Sequence, residues 1–295
     1  MFYYKLYGQV IKSDLEFKQL IPAEECDTDI TFRKGDIPEE IIGTINQFDV
    51  GDDYSWLSNN TCYLVIRNGK ELIYQLKPGA SEDYMRAFIL GYGIAMLHHQ
   101  RGSLAVHCSA LSYNGSAVLI SGRSGSGKST LTSALLEEGL SLMADDMAVV
   151  NPNNEKAIAY PAFPFQKLCR DAALANGKDL SKLIYIDENK DKFLVPFSGE
   201  FDTAGKPVLA MFILMGEVDT DQVILEEVRG VAKIPTLGNN LFLNKMLKDN
   251  KFKGKCGQNS VTAAGKFPIF LVGRPAGNCP VEAVKEVVME KISSI

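Results

Sequence analysis

The feature that most constrains the fold of this chain is a glycine-rich run, Gly-Arg-Ser-Gly-Ser-Gly-Lys-Ser, from Gly122 to Ser129. The apolar residues 117–120 precede the run, and a segment with apolar residues at helical spacing follows it and ends at Gly139. Strand, loop and helix in this order are typical of an α/β unit. The spacing G-x-x-x-x-G-K-S is that of a phosphate-binding loop, in which backbone N–H groups surround an anion at the start of a helix.

This phosphate loop predicts ATP and Mg²⁺ as cofactors. Lys128 can reach the β- and γ-phosphates, and the Ser129 hydroxyl can ligate Mg²⁺. The alternative is a plain turn rich in glycine and serine, which the strand before the run and the helix after it disfavour. The predicted nucleotide-binding residues are Gly122, Arg123, Ser124, Gly125, Ser126, Gly127, Lys128, Ser129 and Thr130.

Two adjacent carboxylates, Asp145 and Asp146, follow the apolar residues 140–144. Neighbouring side chains on a strand point to opposite faces, so one carboxylate can face a metal ion and the other an acceptor hydroxyl. A strand end beside a phosphate loop is also where α/β folds gather their ligands. The alternative is a solvated acidic turn. We predict a functional pair, and the residues alone leave open which aspartate has which role.

His107 lies just before the strand that leads into the loop. A single histidine beside apolar residues is either a structural residue or a catalytic one, and the pattern alone does not decide between them. His98 and His99 lie near an expected helix end, where capping or exposure is the simpler interpretation.

Composition excludes several classes of protein. The chain has 295 residues, of which 46% are hydrophobic, and a net charge of −5 without a basic stripe, which argues against nucleic acid as a partner. No apolar run is long enough to cross a bilayer, and the first residues lack the pattern of a secretion signal. The six cysteines are far apart with no Cys-x-x-Cys pair, so free thiols in a reducing cytoplasm are expected.

The pattern along the chain predicts a small β-rich N-terminal domain at 1–80, a connecting helix at 81–102 and a catalytic α/β domain at 103–295. Residues 2–10, 61–67 and 71–76 alternate between apolar and polar, and Asn68-Gly69 is a hairpin signal between the last two runs. Ser81, followed by two acidic residues, predicts the start of a helix that ends near Gln100 and packs between two sheets.

Three segments together resemble the catalytic core of the HPr serine kinase/phosphorylase family: Val106-His107-Cys108-Ser109-Ala110, the phosphate loop and Ala144-Asp145-Asp146. More closely, the chain is similar to the shorter HPr-kinase-related proteins, among them kinases that phosphorylate lasso-peptide precursors. Later segments at 160–168, 192–196 and 207–214 also look like that group, as does the N-terminal start. The similarity covers nearly the whole chain, although only the first three segments are specific.

The resemblance implies an α/β fold, with a P-loop kinase domain of the HPr kinase/phosphoenolpyruvate carboxykinase type preceded by a small β-rich domain. It implies that Lys128 and Ser129 hold ATP and Mg²⁺. It also implies that Asp145 is the base towards a serine hydroxyl, that Asp146 is at the metal, and that His107 lines the phosphate site. The implied catalytic set is Asp145, Asp146, His107 and Lys128, and the implied metal ligands are Ser129 and Asp146.

The chain departs from the family in two places, and one is its N-terminal region, which does not look like that of the full-length HPr kinases. Typical HPr kinases carry Glu-x-Arg-Gly-x-Gly after the aspartates, and only a fragment, Val228-Arg229-Gly230, is present here. This leaves open HPr as the acceptor and the reverse, phosphorylase reaction.

The expected function is that of a cytoplasmic ATP-dependent serine kinase acting on a peptide or small protein, with neither nucleic acid nor membrane as a partner. A homo-oligomer is left open. The alternatives are a kinase for a small molecule, such as free serine or a sugar, and a regulatory module that binds ATP without phosphoryl transfer.

Overall fold

The structure is a computed structural model that describes residues 1–28, 30–175, 177–187, 191–277 and 279–295. The chain forms two compact units. Unit 1 comprises Met1–Ser103, Phe163–Ser198 and Lys245–Lys248, and unit 2 comprises Leu104–Ala162, Gly199–Asn244 and Asp249–Ile295. Each unit is therefore assembled from three separate stretches. The predicted domains are instead consecutive along the chain, and their boundaries stay a prediction.

The described residues form a mixed α/β structure with several sheets. The strands are β1 (Phe2–Leu6), β2 (Gln9–Ser13), β3 (Ile21–Pro22), β4 (Thr31–Lys34), β5 (Gln47–Val50), β6 (Tyr54–Ser58), β7 (Cys62–Arg67), β8 (Glu71–Leu76), β9 (Leu104–Val106), β10 (Cys108–Tyr113), β11 (Ser116–Gly122), β12 (Ser141–Ala144), β13 (Ala148–Asn151), β14 (Ile158–Tyr160), β15 (Phe165–Cys169), β16 (Ile184–Asp187), β17 (Lys192–Pro196), β18 (Lys206–Val218), β19 (Ile224–Val228) and β20 (Ile269–Pro275). The α-helices are α1 (Glu82–Phe88), α2 (Ile94–Gln100), α3 (Lys128–Glu137), α4 (Arg170–Ala175), α5 (Lys233–Asn239), α6 (Asn244–Leu247), α7 (Gly254–Ala264) and α8 (Val281–Ser294). Within the described ranges, no helix combines the length and the apolar character that crossing a bilayer requires.

Unit 1 contains a large sheet with the strand order β3-β1-β2-β4-β8-β7-β6-β5. The predicted hairpin is confirmed: β7 and β8 pair antiparallel, and Asn68 and Gly69 between them have φ values of 53° and 62°. Positive φ at both central residues is what asparagine followed by glycine supplies at low cost. The predicted run at 2–10 is two strands, because Tyr7 and Gly8 also adopt positive φ and turn the chain between β1 and β2.

The predicted helix after Ser81 is confirmed. The Ser81 side chain accepts a hydrogen bond from the Tyr84 N–H at 3.4 Å, and helical structure then continues to Gln100 through a π-helical stretch, Ile89–Gly93. Its two α-helical parts contact different sheets of unit 1: α1 contacts β16, in the small sheet β15-β17-β16, and α2 contacts β7. The expected packing between two sheets follows from these contacts.

Unit 2 contains a mixed sheet with the order β12-β10-β11-β18-β14-β13-β9, and β20 joins it beside β18. Strand β11 pairs parallel to β18, which pairs parallel to β20. Residues 117–122 of β11 are buried without alternation, as expected for a strand covered on both faces. Helices α3 and α8 contact each other; α3 also contacts β10 and β11, and α8 contacts β18.

The direction of three neighbouring strands brings the predicted site residues to one edge of this sheet. Strand β10 pairs antiparallel with both β11 and β12, so β11 and β12 run in the same direction. Cys108, at the start of β10, pairs with Ser121, and Ala110 pairs with Ala144. The ends of β11 and β12 therefore lie at the edge where β10 begins.

One sequence expectation about the aspartates is wrong. They do not lie on a strand with their carboxylates on opposite faces, because β12 ends at Ala144 and β13 begins at Ala148. The two aspartates instead lie in a turn between these strands. The Met147 N–H donates to the Asp145 carbonyl at 2.9 Å, and Asp146 between them has φ of 68°. This is a γ-turn with positive φ, a strained conformation that aspartate tolerates better than most residues.

Candidate functional site

The phosphate loop, Gly122–Ser129, owes its shape to glycines. Gly122, Gly125 and Gly127 have φ values of 152°, 83° and 97°. A Cβ at Gly122 would overlap the Ser126 hydroxyl and lie 2.8 Å from the Leu214 carbonyl oxygen of the adjacent strand, so no larger residue fits there. The Ser126 N–H donates to the Arg123 carbonyl at 3.1 Å and closes the turn.

Helix α3 begins directly at the loop, and its first turn is suited to an anion. Gly127 is its N-cap residue and has no side chain that could satisfy the first N–H groups. The Ser126 hydroxyl is buried and has no hydrogen-bond partner in the described part of the chain. Free N–H groups at a helix start, beside an unpartnered buried hydroxyl, are what a bound phosphate would satisfy.

Lys128 and His107 are in direct contact. The Lys128 Nζ lies 3.1 Å from the His107 Nε2, and the His107 Nδ1 lies 2.8 Å from the backbone carbonyl oxygen of Asp146. A carbonyl oxygen only accepts, so Nδ1 carries the proton and the neutral ring accepts from Lys128 at Nε2. The ring nitrogen Nδ1 is also 3.7 Å from the Asp146 carboxylate. The structure thus links the loop lysine to the aspartate turn, Asp145–Met147, through one histidine.

Asp145 is held differently from Asp146. Its carboxylate accepts a hydrogen bond from the hydroxyl of Ser109, a fully buried residue of β10, at 3.0 Å. The Asp146 side chain is 18% exposed and that of His107 is 38% exposed, so this part of the site is accessible from solvent. One aspartate is therefore oriented by a buried hydroxyl, while the other lies beside the histidine.

Two further polar residues belong to the site and were not predicted. The buried Ser121 hydroxyl lies 2.7 Å from the His107 carbonyl oxygen and 2.8 Å from the Asn240 amide oxygen. The Asn240 carbonyl oxygen in turn accepts from the His107 N–H at 2.8 Å. No local motif marks Asn240, which is 119 residues away from Ser121 in the chain. Only the fold brings them together.

Other candidates are less suited to chemistry. Burial raises the pKa of the Cys108 thiol to about 12, so this neighbour of His107 stays a neutral thiol and a poor nucleophile. His98 is buried rather than at the surface, and His99 lies 3.3 Å from the Asp52 carboxylate. Two arginines whose charge could attract an anion are paired with carboxylates: Arg170 lies 2.6 Å from Asp191, and Arg274 lies 3.2 Å from Glu217.

The residues present fit a nucleotide with its Mg²⁺. Mg²⁺ prefers oxygen ligands and is usually held by one or two carboxylates together with substrate phosphates, rather than by an all-protein cage. Asp145, Asp146 and the Ser129 hydroxyl carry such oxygens, and the loop would supply the phosphate contacts. The described residues contain no group of three or more His, Cys, Asp or Glu side chains placed to hold a metal.

No protein-family model matches the chain, and no curated protein matches it in sequence. A similar solved structure is that of the Hpr(Ser) kinase/phosphatase from Coxiella burnetii, with 16% identity, a TM-score of 0.33 and coverage of 64% of this chain and 91% of that chain. A likeness at this level carries no argument about function.

Proposed function

We propose that the protein is a cytoplasmic ATP-dependent phosphotransferase that transfers the γ-phosphoryl group of ATP to a serine hydroxyl of a peptide or small protein. One observation carries the proposal: a phosphate loop with its lysine, a histidine and a carboxylate pair meet at one edge of the sheet, with Lys128 and His107 3.1 Å apart. The sequence resemblance to HPr-kinase-related proteins, with a P-loop kinase domain of that type, supports the same chemistry.

The phosphate loop binds and orients the nucleotide. Its N–H groups and the start of α3 hold phosphate oxygens, and Lys128 leaves His107 to donate to the transferred group. Positioned donors of this kind stabilise the charge that develops during phosphoryl transfer. Ser129 and Asp146 would hold Mg²⁺, which neutralises phosphate charge when bound.

Asp145 is the proposed base. Its Oδ1 atom accepts from Ser109 at 3.0 Å, so the buried hydroxyl restrains the orientation of the carboxylate at the sheet edge that also carries the phosphate loop. Asp145 takes the proton of the serine hydroxyl as the new oxygen–phosphorus bond forms and the bond to the leaving diphosphate breaks. When the site empties, Lys128 again donates a hydrogen bond to the unprotonated Nε2 of His107.

The decisive experiment measures transfer of the labelled γ-phosphoryl group of ATP, in the presence of Mg²⁺, to three acceptors. These are HPr, a peptide that ends in serine, and free serine. We expect label on the peptide or protein acceptor. The Lys128→Ala variant should reduce the rate by about 10²–10³, the usual effect of removing one donor to the transition state.

The three arms separate the alternatives. Label on free serine alone would establish the small-molecule kinase instead. Tight Mg²⁺-dependent ATP binding without label on any acceptor would favour the regulatory module over the kinase.

A further inference from the structure

The segment that follows α5 runs beside the residues that lead to His107. The Phe242 N–H donates to the Ala105 carbonyl at 2.8 Å, Val106 and Leu241 form an antiparallel bridge, and the His107 N–H donates to the Asn240 carbonyl at 2.8 Å. The Phe242 ring also contacts the His107 ring, with centroids 5.9 Å apart. Residues 240–242 therefore act as a short additional strand that ends on the backbone of His107.

The side chain of Asn240 ties this segment to the phosphate loop. Its Nδ2 donates to the Thr236 carbonyl in α5 at 2.8 Å. A carbonyl oxygen cannot donate, so the amide orientation is fixed and Oδ1 faces the Ser121 hydroxyl at 2.8 Å. Ser121 is the residue before Gly122, and its single proton is shared between Asn240 Oδ1 and the His107 carbonyl at 2.7 Å.

We propose that Asn240 is a positioning residue that holds His107 in the place where its ring meets Lys128. The side-chain amide of Asn240 connects Ser121 to α5, and its backbone carbonyl accepts from the His107 N–H. The His107 ring is thereby placed with one nitrogen at the Asp146 carbonyl and the other at Lys128. The proposal rests on the proposed function only where turnover is concerned. The effect of Asn240 on the His107 ring can be measured whatever reaction the protein catalyses.

The structure explains why the side chain matters in addition to the backbone. The Asn240→Ala variant keeps the carbonyl that accepts from His107 but loses both side-chain hydrogen bonds. Ser121 then has only the His107 carbonyl as a partner, and the end of α5 is released from the loop strand. The Ser121→Ala variant removes the same bridge from the other side. In both variants we expect the His107 ring to lose its fixed position and to populate both neutral tautomers instead of the Nδ1-protonated one alone.

The matched control is Asn239→Ala, one residue earlier in the chain. The Asn239 amide oxygen accepts from the Lys251 ammonium at 2.8 Å, away from Ser121 and His107. The Asn239→Ala variant removes the same type of side chain at the same end of α5. General destabilisation of α5 should therefore appear equally in this variant.

The test is ¹⁵N NMR of the three histidine rings in the full chain, with His107 assigned by a His107→Gln variant. The wild type and Asn239→Ala should show His107 protonated at Nδ1, and Asn240→Ala and Ser121→Ala should show both tautomers. We also expect turnover to fall about tenfold in the last two, as for one lost hydrogen bond, with the double variant no slower than either.

A folded Asn240→Ala protein with the wild-type His107 spectrum would overturn the proposal. If Asn240→Ala does not fold, Asn240→Asp replaces it, since the carboxylate still accepts from Ser121 but cannot donate to Thr236. If the wild type transfers no phosphate, the proposed function fails, and the histidine spectrum still decides the role of Asn240.

Discussion

The phosphate loop and the aspartate turn lie at the same sheet edge, and they are built in different ways. The loop is a backbone structure: three glycines with positive φ and the start of α3 determine its shape. The aspartate turn is a side-chain structure: its carboxylates are oriented by Ser109 from β10 and by His107. A backbone site depends on residues that are adjacent in sequence, whereas a side-chain site depends on residues that only the fold brings near.

This difference predicts separable functions. Changes in the loop should affect nucleotide affinity first, because in the proposed function the loop holds the phosphates. Changes in the aspartate turn should affect turnover first, because in the proposed function one carboxylate accepts the proton and the other holds the metal. The following predictions test that separation.

The largest expected effect is that of Asp145→Asn, which should lower kcat by about 10²–10⁴, the range for loss of a general base. The amide is nearly isosteric and can still accept from the Ser109 hydroxyl, so the geometry of the turn is retained. Affinity for ATP with Mg²⁺, measured by calorimetry, should remain at the wild-type level.

Asp146→Asn is the matched variant for this prediction. We expect it to raise the Mg²⁺ concentration required for half-maximal turnover, because Asp146 is the proposed metal ligand and the amide is neutral. If the two variants exchange these behaviours, the roles of base and metal ligand are reversed. Normal turnover in both would contradict the assignment of the pair.

Much of the loop could be predicted from the sequence, since its information is local. The glycine spacing, the preceding apolar strand and the following helix all lie within a few residues of each other. The aspartates were also found, but their expected strand geometry was wrong, because a γ-turn with positive φ at Asp146 leaves no pattern in the sequence. Ser109, Ser121 and Asn240 were missed as positioning groups, since strand register and a distant loop define their contacts.

A smaller effect is expected from Gly127→Ala. Gly127 has φ of 97°, where a Cβ costs roughly 1–2 kcal/mol, and no atom lies within 4 Å of that Cβ. The strain should therefore act on the backbone alone. As the loop relaxes to relieve it, the N–H groups leave their positions, and ATP affinity should fall about tenfold, equivalent to about 1.4 kcal/mol.

The control for this prediction lies at the other end of the same helix. Gly139 has φ of 98° and equally open surroundings, so Gly139→Ala introduces the same strain without touching the loop. Urea unfolding should show similar destabilisation in both variants, and calorimetry should show lost ATP affinity only in Gly127→Ala. Equal ATP affinity in the two would mean that the loop backbone does not form the binding site.

The smallest expected effect concerns pH, and it sets the range in which the two regions can be compared in a folded protein. Burial lowers the pKa of His98 to about 3, from an ordinary value of 6.5. Below pH 6.5 the unfolded chain therefore binds a proton at His98 that the folded chain does not. The free energy of unfolding consequently decreases as the pH is lowered. Between pH 7.5 and 5.5 the loss should be about 1 kcal/mol.

The variant His98→Phe checks this origin. The ring of Tyr7 packs edge-on against His98 at 5.5 Å, so an aromatic replacement keeps the contact while removing the titrating group. Urea unfolding at pH 7.5 and 5.5 should show a smaller difference in stability than in the wild type. An unchanged difference would assign the acid sensitivity to other groups.

The fold shows the same division between local and distant information. The hairpin at Asn68-Gly69 and the helix after Ser81 were predicted, because turn and capping residues act on their neighbours. The mixed directions of β10, β11 and β18 were not, since strand pairing depends on the whole sheet. The discontinuous composition of the two units was also beyond prediction, because no change in composition marks Phe163–Ser198 as part of unit 1.

The discontinuous composition of unit 1 also has a consequence during synthesis on the ribosome. Its first stretch ends at Ser103, and the next residues of the unit to be made are Phe163–Ser198. At a translation rate of about 5–20 residues per second, the N-terminal sheet waits roughly 5–20 seconds for the small sheet β15-β17-β16. Until then the surface of α1 that contacts β16 stays uncovered, and the nascent chain is a candidate for chaperone binding.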